Sequence, residues 1–280
     1  MVSVALSSNN VLHSSTLTVQ GRSASYGHVG HGPPLVFCHG LGANERTYKD
    51  CLVLTAALGF SVFAPSLPGF GKTPDLPVAS RSLRGYSAWL GDFVQAVGIG
   101  QPIVILGQSL GGGIAMQFTH DYPRFIRHAV TINGVGGRSL KSLSLSRYGM
   151  NLWSDLLAET ELLVHIRTEL FNGLSRPGLM SRMALLAYAA DLSAELVKIR
   201  ADRTPVDVWW SRGDRIVPAP VHFATCSLLG VPGTVVDGHH SWPVTHPYQF
   251  AAQLERLGLG RLDTPVSPSA EMLGRSLTDG

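Results

Sequence analysis

Apolar residues fall in two rhythms along this chain. Short, mostly apolar runs at residues 35–38, 61–64, 103–106, 128–132 and 206–210, with a briefer one at 234–236, predict buried strands. Between them, residues 45–58, 86–97, 110–120 and 220–229 carry the spacing of amphipathic helices. Strands that are mostly apolar, alternating with helices, predict an α/β fold: a mostly parallel central sheet flanked by helices. Residues 16–26 instead alternate apolar and polar, as an antiparallel edge hairpin does.

The rhythm breaks once. Residues 139–203 contain no strand signal, while Leu162, Leu163, Ile166 and Leu170, and then Met183, Leu186, Ala187 and Ala190, recur at helical intervals. The expected organisation is a core of residues 1–138 and 204–260, an inserted helical cap at 139–203, and a loosely ordered tail at 261–280.

Composition narrows the partners. Of 280 residues, 45% are hydrophobic and 15% charged, and the net charge of +3 is scattered without a Lys/Arg cluster that would track a phosphate backbone. Nucleic acid is therefore not expected as a partner. No run reaches the roughly 18 apolar residues of a membrane span. The first residues lack the basic and apolar regions of a signal peptide. Cys38, Cys51 and Cys226 are odd in number and sit in apolar stretches, as free buried thiols in a reducing compartment do. The expectation is a cytoplasmic protein with a small-molecule partner.

The strongest chemical signal is Gly107-Gln108-Ser109-Leu110-Gly111, a G-x-S-x-G sequence with a strand before it and a helix at once after it. A turn that tight leaves no room for side chains at 107 and 111. It would hold Ser109 in a strained backbone conformation, hydroxyl presented, at a helix N-terminus that favours negative charge. Two other glycine-rich stretches carry less. GFGKT at 69–73 lacks the first P-loop glycine, since position 66 is serine, and Pro74 discourages the required helix. INGVGGRS at 132–139 lacks a third glycine and reads as a hinge into the cap.

With FCHGLG at 37–42, PSLPGFGKT at 65–73, GQSLGGG at 107–113, SRGDRIVP at 211–218 and GHHSWPVTHP at 238–247, in that order, the chain resembles the α/β-hydrolase superfamily, in particular its capped esterase and epoxide-hydrolase-like branch. The resemblance covers about residues 35–257. It implies Ser109 as nucleophile, Asp214 as the acid that orients a histidine, and the backbone N–H groups of Leu41 and Leu110 as an oxyanion hole. Asp214 also fits an Asx-turn before a helix. Ser211, where relatives carry glycine or a similar turn residue, is a minor departure. Asn133, where some relatives carry the acid, offers only an amide. His39 is expected to pack beneath its loop and hydrogen-bond it.

Three histidines remain. His239, His240 and His246 lack helical metal-ligand spacing, so neither metal nor any other cofactor is expected. His-Ser-Trp with Pro247 seven residues on matches the family's register at His240, leaving His239 as the alternative base. His165, on a patterned cap helix, reads as a solvent-facing or boundary residue. The implied activity is hydrolysis of a small apolar or aromatic ester, lactone or thioester through an acyl-enzyme. Alternatives on the same fold are C–C bond hydrolysis, cofactor-free perhydrolysis, acyl transfer and ligand reception with little turnover. Serine at 109 argues against epoxide hydrolases and haloalkane dehalogenases, which use aspartate there.

Overall fold

Each apolar run becomes a strand of one sheet in the computed structural model, which describes residues 10–142, 146–147, 149–151 and 176–260. The strands are β1 (His13–Val19), β2 (Arg22–Val29), β3 (Pro34–Cys38), β4 (Ser61–Pro65), β5 (Ile103–Gln108), β6 (Ile126–Ile132), β7 (Val206–Ser211) and β8 (Thr234–Val236). Their order across the sheet is β1-β2-β4-β3-β5-β6-β7-β8. The first two pairings, β1 with β2 and β2 with β4, are antiparallel, and the rest are parallel. The hairpin at the edge and the parallel interior are both as the patterns predict.

Successive side chains of a strand point to opposite faces. Val36, Cys38, Ile103 and Ile105 therefore enter one apolar layer, and Leu35, Phe37, Val104 and Leu106 the other. The first layer is closed by α2 (Leu83–Ala96), α3 (Leu110–Asp121), α5 (Ser193–Ala201) and α6 (Ala219–Leu229). The second is closed by α1 (Lys49–Ala57), α7 (Trp242–Thr245) and α8 (Pro247–Arg256). Among the described residues no helix is long and apolar enough to cross a membrane.

Two helix starts differ from the pattern for a local reason. α1 begins at Lys49 rather than near 45, because Asn44 and Thr47 side chains accept from the Arg46 and Asn44 backbone amides and hold a turn there. α2 begins earlier, at Leu83, because Ser82 caps it by accepting from Gly85 N–H at 3.1 Å.

In the stretch expected as a cap, α4 (Pro177–Ala189) and α5 behave differently. α4 buries Met183 and Ala187 and lies over loops at the carboxyl ends of β3 and β4. α5 packs between α3 and α6 and belongs to the layer on the sheet. The repeat at 162–170, His165 and the tail at 261–280 lie outside the described residues.

Candidate active site

Parallel strands with right-handed connections leave their carboxyl-end loops free, and ligands bind there in open α/β sheets. Leu41 follows β3, Ser109 follows β5, Asp214 follows β7 and His240 follows β8, so all the expected residues gather at that edge.

At the end of β5, Ser109 has φ 57° and ψ −119°, a left-handed conformation that non-glycine residues rarely take. Neighbouring backbone maintains it. Ser109 N–H donates to Ile132 O at 2.9 Å, and Ser109 O accepts from Gly113 and Val135 N–H, each at 3.2 Å. The glycines are required for space. A Cβ on Gly107 would lie 2.1 Å from Gly111 O, and one on Gly111 would lie 2.2 Å from Cys38 O. Leu110 opens α3, where the first amides have no partner within the helix. Ser109 as a whole keeps only 6% of its surface exposed, so it is more enclosed than the turn alone implies.

Asp214 makes two sets of contacts, one with each oxygen. Its Oδ1 accepts from Ile216 N–H at 2.8 Å and Val217 N–H at 2.9 Å, which is the turn. Its Oδ2 lies 2.8 Å from His240 Nδ1, and both side chains are buried. A carboxylate oxygen accepts, so Nδ1 carries the proton and the lone pair of the neutral ring lies on Nε2.

The other histidines take separate places. The His239 ring packs on Gly213, where an added Cβ would lie 3.0 Å from His239 Nδ1. His246 is exposed, 2.9 Å from Thr245 Oγ1, at the start of α8. His39 is buried, with Nδ1 donating to Gly40 O at 2.8 Å and Nε2 accepting from Leu67 N–H at 2.9 Å. Burial pushes its pKa down from 6.5 to about 4, against smaller upward pulls from the Gly40 carbonyl and Glu45. Among the described residues no three His, Cys, Asp or Glu side chains gather as metal ligands.

Aromatic packing anchors the histidine loop from below. Trp242, two residues after His240, lies 6.4 Å from Trp209 and 6.0 Å from Phe250 between ring centroids. Contacts of this kind contribute roughly 0.5–1.5 kcal/mol each beyond their burial.

Residues 33–157 match the family model described as the alpha/beta hydrolase fold. The mostly parallel sheet flanked by helices agrees with it. Over those residues the chain is similar to the α/β-hydrolase family, and its eight-stranded, mostly parallel sheet is the α/β-hydrolase fold. An uncharacterized protein of Mycobacterium tuberculosis is 33% identical over 119 residues, which is 42% of this chain but only 34% of that protein. The match to this hydrolase-fold chain therefore spans about a third of the relative's length. A pimeloyl-[acyl-carrier protein] methyl ester esterase of Aeromonas hydrophila is 33% identical over 110 residues, 39% of this chain and 41% of the esterase. Among solved structures, a serine hydrolase involved in carbazole degradation superposes with a TM-score of 0.69 at 20% identity, covering 89% of this chain and 99% of that one.

Four residues around the site were not singled out as functional in the sequence. Gln108 and Tyr48 are bonded to each other, and Asn133 and Ser211 likewise. All four are buried. Ser211 is not a minor departure: its hydroxyl donates to His239 O at 2.7 Å, a bond glycine cannot make. Asn133 sits at φ 46°, which asparagine tolerates better than most residues, and that was the one available signal.

Proposed function

We propose that the protein is a serine hydrolase that cleaves a small apolar or aromatic carboxylic ester through an acyl-enzyme. The observation that carries this is the buried His240–Asp214 pair at the same sheet edge as a serine held at φ 57°.

In this reading Ser109 Oγ attacks the acyl carbonyl while its proton passes to His240 Nε2. The bond from Nδ1 to Asp214 keeps the ring in the required tautomer and stabilises the imidazolium. Leu41 and Leu110 N–H groups receive the oxyanion, each such donor being worth about 10²–10³ in rate in comparable sites. His240 returns the proton to the departing alcohol, and water then repeats the sequence to free the acid. Every group needed belongs to the chain, so no cofactor is invoked.

The preference for an apolar substrate is supported by the roof. A Cβ added at Gly42 would lie 3.2 Å from Met180 Cε, and one at Gly69 would lie 2.9 Å from Leu179 Cδ1, so α4 lays apolar side chains over the loop that carries Leu41. In this reading α4 is the part of the expected cap that roofs the site. The similarity to a methyl ester esterase supports an ester over a C–C bond or an epoxide. Three free, buried cysteines support a reducing, cytoplasmic setting.

The test is turnover of p-nitrophenyl esters varying in acyl length and aromaticity. Wild type should turn over and form a fluorophosphonate adduct, and Ser109→Ala should do neither. A wild-type protein that shows neither turnover nor adduct ends the proposal.

A further inference from the structure

The backbone of His240, rather than its ring, carries a second set of contacts. Its carbonyl accepts from Gln108 Nε2 at 2.9 Å and from Asn133 Nδ2 at 2.9 Å. These amides arrive from the ends of two strands, β5 and β6, 132 and 107 residues away in sequence. Both are buried, and backbone groups fix the orientation of each. Ser211 N–H can only donate, and it reaches Asn133 Oδ1 at 2.9 Å, so the Asn133 nitrogen must face the carbonyl. Gly40 N–H donates to Tyr48 Oη at 3.3 Å, so the Tyr48 hydroxyl passes its own proton to Gln108 Oε1 at 2.8 Å. That leaves the Gln108 nitrogen facing the same carbonyl. The preceding carbonyl, of His239, is taken by Ser211 Oγ at 2.7 Å.

We infer that Gln108 and Asn133 are positioning residues that clamp the His240 carbonyl and thereby set which of two adjacent histidines serves Ser109. The clamp also ties the base to its partners. Gln108 precedes the nucleophile, Gly40 precedes Leu41, and Ser211 lies three residues before Asp214. Two chains of hydrogen bonds, Gly40–Tyr48–Gln108 and Ser211–Asn133, therefore converge on the His240 carbonyl and join the loops of nucleophile, oxyanion hole, acid and base. The inference rests on His240 being the base, as proposed above.

These chains can be cut at places that touch no reacting atom. Gln108→Met keeps length and loses both bonds. Asn133→Asp keeps shape and tolerance of positive φ but turns an oxygen towards the His240 carbonyl. Tyr48→Phe removes one hydroxyl and keeps the ring packing on Phe37. With a p-nitrophenyl ester, Gln108→Met and Asn133→Asp should each lower kcat about 10- to 100-fold with KM within about twofold, and Tyr48→Phe should lower it less. Fluorophosphonate labelling should slow in parallel, at temperatures where each variant is folded by thermal unfolding. The double variant should fall short of the product of the single effects, because both amides serve one acceptor. Wild-type kcat and labelling rate in folded variants, with only Tm lowered, would overturn the clamp and leave the triad standing. An inactive, unlabelled wild type would overturn the triad and the clamp together.

Discussion

Lowering the pH should weaken this protein through His39, beneath the loop that carries Leu41. The ring is fully buried, faces Phe70 edge-on at 5.3 Å, and uses both nitrogens in opposite senses. Protonating Nε2 would set an N–H against the Leu67 N–H, so the charged form loses a bond as well as its hydration. Its native pKa, pushed down to about 4, lies below the 6.5 expected of an unfolded chain. Below pH 6.5 the unfolded state takes up a proton that the native state refuses. Stability present above pH 6.5 is therefore lost progressively as pH falls towards 4. At 1.36 kcal/mol per pH unit, the loss by pH 4 is about 3 kcal/mol, a large share of the roughly 5–15 kcal/mol that holds a domain together. Burial also depresses the pKa of His28 and His222, which act in the same sense, so His39 must be isolated by difference. Urea unfolding of wild type and His39→Gln between pH 7 and pH 4 does this. The variant should be less stable at pH 7, and the gap should close by about 3 kcal/mol at pH 4. Parallel curves would show that His39 is not a buried neutral ring, and the account of the loop above it would fail.

The remaining predictions concern the site itself. His240→Ala should abolish ester turnover while His239→Ala changes kcat only a few-fold; the reverse outcome would move the base by one residue. Asp214→Asn should lower kcat by about 10⁴, as loss of the tautomer-fixing acid does in serine proteases, with soluble, folded protein by circular dichroism. Gly111→Ala would place a methyl carbon 2.2 Å from Cys38 O and should cost more than about 4 kcal/mol, read as insolubility or a collapsed Tm. A Gly111→Ala protein of wild-type stability would mean that the elbow is looser than described.

Much of the fold was legible because its signals are short-range. Buried parallel strands are apolar on both faces, so Ile103 to Leu106 stands out without knowing its neighbours. Helix starts were less legible, because Asn44, Thr47 and Ser82 decide them through single side-chain bonds to backbone. Ser109 was readable from steric demand, since glycine at 107 and 111 is what a strand turning at once into a helix requires. Asp214 was not readable from position alone. An Asx-turn carboxylate and a histidine-orienting carboxylate look identical in sequence, and here one residue makes both sets of contacts, with Oδ1 in the turn and Oδ2 on His240.

The choice between His239 and His240 shows where such reading stops. Two adjacent imidazoles are the same chemical group, so residue type cannot separate them. In the structure, the separating contacts fall on main-chain carbonyls, with Gln108 and Asn133 on His240 O and Ser211 on His239 O. A carbonyl is common to every residue and leaves no mark in sequence at the position it serves. The mark lies on the donors, far away at 108, 133 and 211, as buried polar side chains at the carboxyl ends of the strands. Each would cost roughly 1–3 kcal/mol if left unsatisfied, so its presence implies a partner. Three such donors converging on two consecutive carbonyls make a fixed loop, and a fixed loop offers one imidazole, not two, to Asp214.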